Sequence, residues 1–353
     1  MSIKKIGLVL GIWLFLPSAG SLFAASPMEA QKARLKKESP DSPERVELAR
    51  VQVFLDRAQF RPGKIDGLGG EFTQKAADRY CIANNMALGT RLDVSGISSP
   101  YREYTVSDED ARWVGPQASA PPEQEKLKAM LYGSLWEVIA ERFHCDLNFL
   151  RELNAQVQEG ALQVGTVVRV PDVAEFQMAE VEALEKQRRA DEKARKEVEK
   201  QAGAADSSPT PTPVPDTAPT QRLVLLRTER LIEVYEGDRL IACLPCTPGS
   251  SKTPVPVGTW KVIANVLMPY FRWDKSVLES GVRSETAYNL PPGPNNPVGI
   301  VWMAINRPSV GMHGTPTPDM IGRNESAGCI RMANWDAFTL SQWVKKGTPL
   351  EVK

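Results

Sequence analysis

A histidine and a cysteine near the end of this 353-residue chain are its best candidates for covalent chemistry. His313 lies in Gly-Met-His-Gly-Thr (311–315), and Cys329 lies in Ser-Ala-Gly-Cys-Ile-Arg-Met (326–332). Prolines and a glycine between them prevent a regular helix or strand, so we expect the chain to double back and bring imidazole to thiol. A thiolate is a strong nucleophile, and a neutral imidazole is the base that generates it. The pair predicts acyl transfer through a cysteine; the alternative is a buried cysteine and a turn histidine that never meet.

The residues beside this pair are compatible with catalysis but do not by themselves favour it over the non-catalytic alternative. Gly328 leaves the backbone bare next to the sulfur, so amide N–H groups there can face a developing oxyanion. A backbone carbonyl next to His313 fixes which ring nitrogen carries the proton. Because the imidazole takes the thiol proton, we expect it to pull the pKa of Cys329 below the free value of about 8.5.

The string from His313 onward resembles the signature of the L,D-transpeptidase (YkuD-like) catalytic domain, which is H-G-T, a loop and then S-x-G-C-[IV]-R. Two upstream segments are similar to other parts of that family. Residues 247–260 resemble its TPxG turn and strand, and residues 290–299 resemble the proline-rich approach to the active site in Gram-negative members. The resemblance covers residues 222–353. Ala327 departs from it, because many members carry a second histidine there.

This resemblance implies a two-step exchange on the stem peptides of peptidoglycan. Cys329 would attack the carbonyl of the third stem residue and release the terminal D-alanine, and an amine would then take the acyl group. His313 would move the protons, and the carbonyl of Gly314 would orient its ring. Amides at Gly328 and Cys329 would hold the oxyanion. The resemblance implies no metal and no cofactor.

The substrate contacts and the acceptor are implied less sharply. Ser326 and Arg331 are the implied substrate-binding residues, with an internal brace as the alternative role of Arg331. The acceptor is the side-chain amine of another stem, or alternatively water or a lysine of an outer-membrane lipoprotein. A non-catalytic scaffold that binds the cell wall is the alternative outside enzymology.

The N-terminus predicts export. Two lysines precede an apolar run and a small-residue cleavage site, so residues 1–25 are interpreted as a cleaved signal peptide. The run is too short for a comfortable membrane span, so we expect no stable membrane insertion after cleavage and a location in the periplasm or cell wall. The chain carries 43 basic and 43 acidic residues, which argues against nucleic acid as a partner.

Five cysteines in an exported chain leave at least one thiol unpaired. Cys329 is expected to be that free thiol, because a nucleophile cannot be held in a disulfide. Cys243 and Cys246 have C-x-x-C spacing at the end of a predicted strand, so they are expected to form a local disulfide or to be two inert thiols. Too few histidines accompany them for a zinc site.

Residues 44–100 predict a small helical module. A helix-like apolar pattern is followed by Pro-Gly-Lys-Ile-Asp-Gly (62–67) and a second helix that Thr73 can cap. This order resembles the peptidoglycan-binding three-helix module, with an ordinary helical hairpin as the alternative. The preceding residues, 27–43, are polar and interrupted by prolines, and they are predicted to be mobile.

Residues 101–172 predict a strand, two helices and a closing strand. The helices are expected at 135–143 and 147–153, and the closing strand at 165–171. This order is similar to the lysin motif (LysM), which binds glycan strands, although a proline-containing insert at 107–125 is expected to be a loop. His144 is expected to be structural.

Residues 173–221 predict a solvated charged helix followed by an extended Pro/Thr-rich linker, which would give the C-terminal enzyme a long reach. Residues 222–353 are rich in short predicted strands, typical of a sandwich or open barrel. Within them, residues 268–289 are expected to form a flap or substrate wall. The sequence thus predicts a multidomain protein: a mainly-β L,D-transpeptidase-like catalytic domain that follows small α-helical and α+β modules, with peptidoglycan stem peptides and glycan strands as its partners.

Overall fold

The computed structural model of the chain describes residues 27–204, 219–250, 253–276, 282, 284–323 and 328–353. The predicted signal peptide lies outside this described part. Most of the predicted Pro/Thr-rich linker (205–218) and the candidate substrate contact Ser326 lie outside it as well.

The first three helices form the N-terminal module. They are α1 (Pro27–Leu35), α2 (Pro43–Arg57) and α3 (Glu71–Ala83). The prediction that residues 27–43 are mobile is wrong for α1, because these residues form a helix whose Leu35 is fully buried. Gln52 in α2 fixes the following loop, since its side-chain oxygen accepts from the amides of Asp66 and Gly67 at 3.1 and 2.9 Å.

A two-stranded sheet and four short helices follow. They are β1 (Tyr101–Thr105), α4 (Asp108–Arg112), α5 (Pro121–Gln124), α6 (Leu135–Arg142), α7 (Leu147–Leu153) and β2 (Val167–Pro171). Strands β1 and β2 pair antiparallel around α6 and α7, so the predicted strand–helix–helix–strand order is confirmed. The insert is not a simple loop, because Ser107 and Asp110 form a capping box that begins α4.

Helix α8 (Met178–Ala204) is charged along most of its length, as predicted. The first turn of α8 is not solvated as predicted, because Met178 and Val181 are buried in the core of the C-terminal domain. No helix in the described ranges is both long and apolar enough to cross a membrane.

The C-terminal domain is built on one large sheet. Its elements are β3 (Gln221–Leu226), β4 (Leu231–Glu236), β5 (Arg239–Pro245), β6 (Thr247–Pro248), β7 (Gly258–Leu267), β8 (Phe271–Trp273), β9 (Tyr288–Leu290), β10 (Val301–Ile305), β11 (Gly311–His313), β12 (Ile330–Arg331), α9 (Asn334–Trp343) and β13 (Pro349–Val352). Nine strands lie in the order β5-β4-β3-β13-β7-β10-β11-β12-β6. The edge strands β5 and β6 are consecutive in the chain, so the sheet curls into a nearly closed barrel.

The helical and β-rich parts share hydrophobic cores. Leu55 and Ala76 of the first module pack in one cluster with Leu231 and Cys243 of the sheet. The backbone of residues 59–61 also bonds to Cys243, in both directions, at 3.1 and 2.8 Å. The first module therefore covers the edge strand β5. The expected long reach of a loosely linked C-terminal domain is wrong for the described part, because the N-terminal modules pack directly on that domain.

A buried polar cluster crosses the same junction. Asp56 accepts from Arg61 at 2.5 Å and contacts the Nδ1 atom of His144 at 2.9 Å. The His144 ring stacks on Trp335 of α9 with centroids 5.2 Å apart, and Arg61 lies 3.4 Å from Asp336 of the same helix. The prediction that His144 is structural is confirmed. Because α9 follows the cysteine motif by a few residues, this cluster anchors the active-site region to the N-terminal modules.

Candidate active site

His313 ends strand β11, and Cys329 immediately precedes strand β12. Strands β11 and β12 pair in parallel, with Met312 opposite Ile330 and His313 opposite Arg331. The thiol of Cys329 accepts a hydrogen bond from the backbone of Gly311, the first residue of β11. The thiol therefore lies beside the strand that carries His313. The loop between them doubles back as the sequence analysis expects.

The histidine ring is held in one orientation. His313 is 4% exposed, and its Nδ1 atom lies 2.6 Å from the carbonyl oxygen of Gly314. The indole of Trp302 on the neighbouring strand stacks against the ring, with centroids 5.4 Å apart and planes 24° apart. Since the carbonyl can only accept, Nδ1 carries the proton and Nε2 keeps its lone pair. A ring in this tautomer can act as a base.

Burial lowers the pKa of His313 to about 4, and the nearby Arg331 adds to that effect. The hydrogen bond to Gly314 opposes it. The imidazole is therefore neutral throughout the neutral and mildly acidic range. Neutrality is the state that a general base requires.

This low pKa predicts that the wild type loses stability relative to His313→Gln as the pH falls. Between the ordinary histidine pKa of about 6.5 and the folded value of about 4, the unfolded chain binds a proton that the folded chain does not. The stability difference should approach about 3 kcal/mol at the acid end. Thermal melts of both proteins from about pH 7.5 down to about pH 4.5 measure it. A gap in melting temperature that stays constant would contradict a neutral buried ring.

The cysteine lies in a less activating environment than the sequence suggests. Cys329 is partly exposed, and burial nevertheless raises the pKa of its thiol above the ordinary value. A backbone hydrogen bond from Gly311 and the charge of Arg331 only partly offset the burial. The expectation of a pKa below the free value is therefore wrong for the unliganded protein. The two reactive groups are a neutral thiol and a neutral imidazole.

The remaining cysteines differ from Cys329 in being fully buried. Cys81, Cys145, Cys243 and Cys246 are all free thiols, and burial raises the pKa of each. Cys243 and Cys246 are thus two inert thiols, which was one of the two predicted alternatives, and they form no disulfide. Among these five free thiols, Cys329 is the most accessible.

The glycines of the two motifs are needed for close backbone approach or unusual backbone angles. Gly328 has a φ of +102°, a conformation that residues with side chains rarely adopt. At Gly314, a Cβ atom would lie 2.2 Å from the Oδ1 atom of Asn334. The backbone of Cys329 is held in place, because its carbonyl oxygen accepts a hydrogen bond from the amide of Gly249 at 3.1 Å. Arg331 is half-buried beside the cysteine, and burial lowers the pKa of its guanidinium.

A small hairpin lies in the segment predicted to be a flap. Strands β8 and β9 pair antiparallel, with Phe271 opposite Leu290 and Trp273 opposite Tyr288. The ring centroids of Trp273 and Tyr288 lie 6.0 Å apart. Asp274 follows β8 and is 2% exposed; it accepts hydrogen bonds from the amide and hydroxyl of Ser284 at 2.9 and 2.8 Å. These contacts join the two sides of the connection between β8 and β9.

Sequence reasoning missed three residues that support the site: Trp302, Asn334 and Glu141. Trp302 supports the histidine ring, and Asn334 packs against Gly314. Glu141, on helix α6, accepts a hydrogen bond from Asn334, and the two residues are 193 positions apart in the chain. The available signal was a glutamate among the apolar residues of α6, which has no local reason to be buried.

Comparison with known proteins agrees with this geometry. Residues 220–352 match the family model of the YkuD L,D-transpeptidase catalytic domain. A Bacillus licheniformis protein named as the L,D-transpeptidase YkuD is 30% identical over 138 residues, which is 39% of this chain and 68% of that protein. The Bacillus subtilis protein of the same name is 39% identical over 59 residues, or 17% of this chain and 36% of that one.

Solved structures of L,D-transpeptidases are also similar to the C-terminal part. One from Mycobacterium smegmatis is 21% identical with a TM-score of 0.31, and it aligns with 38% of this chain and 58% of its own. L,D-transpeptidase 3 from Mycobacterium tuberculosis is 19% identical with a TM-score of 0.32, over 38% and 61% of the two chains. This chain thus spans about three fifths of those structures. The family match and the Bacillus licheniformis relative assign the C-terminal domain, and the chain belongs to the YkuD family of L,D-transpeptidase catalytic domains.

Proposed function

We propose that this protein forms peptidoglycan cross-links by cysteine acyl transfer from one stem peptide to an amine of another. The observation that carries the proposal is the placement of a tautomer-fixed neutral imidazole, His313, and the accessible thiol of Cys329 beside the same short strand, β11. They lie inside the region that matches the transpeptidase family.

The first step would acylate the enzyme. The Nε2 atom of His313 takes the thiol proton as the Sγ atom of Cys329 attacks the carbonyl carbon of the third stem residue. The tetrahedral intermediate collapses when the imidazolium returns a proton to the departing nitrogen of D-alanine. This leaves a thioester and a neutral imidazole. Because both groups are neutral beforehand, the proton moves during the attack and not before it.

The second step would transfer the acyl group. The side-chain amine of another stem attacks the thioester, and His313 takes the proton that the amine loses. The sulfur then leaves as a thiolate and regains the proton from the imidazolium. An amide cross-link forms, and both residues return to their starting states.

The oxyanion of both intermediates would be held by the backbone amides of Gly328 and Cys329. Each such donor is worth about 3 kcal/mol of barrier when it is fixed in advance. The positive φ of Gly328 and the bond from Gly249 to the Cys329 carbonyl support a fixed backbone there. We further propose that Arg331 pairs with a carboxylate of the stem and that Ser326 contacts the substrate.

The N-terminal modules would bind the wall in an exported, periplasmic enzyme. A groove of about 600 Å³ opens beside α2, between that helix and residues 91–98. It carries both signs of charge, from Glu47, Arg50, Arg91 and Asp93. A volume of this size lies within the range of clefts that bind small ligands.

The acceptor can be read from the products formed on purified sacculi that contain tetrapeptide stems. Mass spectrometry of the released muropeptides should show dimers joined through two third-position residues. Tripeptides without dimers would instead identify water as the acceptor, and a protein-linked muropeptide would identify a lysine. Sacculi that remain unchanged, with folded enzyme present, would refute acyl transfer altogether.

A further inference from the structure

We propose that Glu141 of helix α6 is a positioning residue for the active-site histidine and acts on it through Asn334 and Gly314. The inference rests on the proposed function, because it assigns a role within the same site. It gives the N-terminal part of the chain a part in catalysis that is separate from wall binding.

Asn334, the first residue of α9, lies between two backbone segments that flank the histidine. Its Oδ1 atom faces two glycines, and a Cβ atom would lie 2.1 Å from it at Gly299 and 2.2 Å from it at Gly314. The amide of Ile300 also approaches this oxygen at 3.4 Å. The two glycines therefore admit the Asn334 amide, and the amide sets the spacing of the segments around it.

Glu141 holds the other end of that amide. Its Oε1 atom accepts from the Nδ2 atom of Asn334 at 3.0 Å, and the carbonyl of Pro294 accepts from the same nitrogen at 3.2 Å. The hydroxyl of Tyr132 bonds to the Oε2 atom of Glu141. The Asn334 nitrogen is thus directed away from the glycines and the oxygen toward them. Without Glu141 the amide loses one of these two acceptors and can rotate.

A rotation or displacement of Asn334 would alter the orientation of the His313 imidazole through Gly314, the next residue in the chain. Gly314 packs against Asn334, and its carbonyl is the acceptor that fixes the Nδ1 proton of His313 at 2.6 Å. Small misplacements of a catalytic group cost large factors in rate. Glu141 therefore affects the chemical step more than it affects binding of the substrate.

The segment before α6 also supports the loop that leads to Asn295 and Gly299. The amide of Met130 donates to Pro292 at 2.9 Å, and the amide of Asn295 donates to Met130 at 3.0 Å. At Gly293 a Cβ atom would lie 2.3 Å from the Met130 carbonyl. The contact with Glu141 is thus part of a continuous, closely packed interface.

The ionisation of Glu141 depends on pH, whereas the packing of its side chain does not, so a pH dependence can distinguish the two. Burial raises the pKa of this carboxyl to about 8, and Glu137 on the same helix adds to it, while the hydrogen bonds of Tyr132 and Asn334 oppose it. The neighbouring Arg142 pairs with other carboxylates. Glu141 is therefore neutral at neutral pH. Above about pH 8 it becomes a carboxylate, which the hydrogen bonds of Tyr132 and Asn334 favour and burial disfavours, so the forces on Asn334 change with pH.

The test is the acylation of the full-length protein by meropenem, followed by intact-protein mass spectrometry at several drug concentrations. Glu141→Ala should lower the limiting rate by about tenfold or more and leave the half-saturating concentration nearly unchanged. Glu141→Gln keeps an acceptor for Asn334 and a polar group for Tyr132, so it should stay within about twofold of wild type. Glu137→Ala, one turn earlier on the same helix, is the matched control and should leave the limiting rate unchanged.

The same measurement across pH separates positioning from structural support. The ratio of the wild-type rate to the Glu141→Gln rate should change as the pH rises from about 7 to about 9, because only the wild type ionises at position 141. Wild type that forms no adduct would refute the proposed function and this inference with it. An active wild type with equal limiting rates in Glu141→Ala would overturn the inference alone. If Glu141→Ala does not fold, the pH comparison decides, and a ratio independent of pH overturns the role of Glu141.

Discussion

Cys329→Ala is expected to lose all transfer activity, by a factor of about a thousand or more, while the protein stays folded. The substitution removes the atom that would carry the acyl group, and no other described thiol can take its place, because the other four are buried. The lost packing is small, since Cys329 is partly exposed, so the stability should change by about 1 kcal/mol or less. Muropeptide mass spectrometry after incubation with sacculi measures the activity, and a thermal melt measures the fold.

A second cysteine provides the matched control for this experiment. Cys81→Ala makes the same chemical change at a buried position of α3, so it should lower the melting temperature and leave the turnover per folded molecule unchanged. Turnover above a few per cent of wild type in purified Cys329→Ala would show that the nucleophile lies elsewhere.

His313→Ala is expected to slow the acylation of Cys329 by about a hundredfold to ten-thousandfold, the usual contribution of a general base. The reason lies in the state of the thiol. Because burial raises the pKa of Cys329, little thiolate exists at neutral pH, and the base must remove the proton during the attack. A carbapenem such as meropenem presents a strained amide carbonyl in place of the stem carbonyl, so the rate at which its adduct appears in intact-protein mass spectra measures this step.

The pH dependence of this reaction distinguishes a base from a structural residue. In wild type the acylation rate should persist through the mildly acidic range, because the pKa of His313 is about 4 and the ring stays neutral. In His313→Ala the residual rate should rise with pH as the thiol ionises unaided. Cys246 is a buried cysteine that immediately precedes β6, the strand paired with β12, and Cys246→Ala should acylate at the wild-type rate. An adduct that maps to Cys243 or Cys246 would contradict the assigned site.

Features that depend on a few neighbouring residues could be read from the sequence. Helices α6 and α7 were predicted from two short amphipathic runs, and both helices are present in the structure. The pairing of His313 with Cys329 was predicted because proline and glycine between them require a loop that returns. The strands of the C-terminal domain likewise follow short apolar runs that end at turn residues.

Features that depend on distant residues were decided only by the tertiary structure. The sequence motif suggests an activated thiolate, but the protonation state depends on how much protein surrounds Cys329, and burial raises the pKa of its thiol. The apolar residues of the first module gave no indication that they pack on β4 and β5, because an apolar pattern predicts a buried face without specifying its partner.

The support of His313 by Glu141 shows the same limit most clearly. Asn334 and Glu141 are separated by 193 positions, and neither belongs to a motif that names the other. Local spacing determines which residues can do chemistry and which segments become helices or strands. The pKa values of those residues and the orientation of their side chains are set by burial and by contacts across the fold, and only the packed structure determines both.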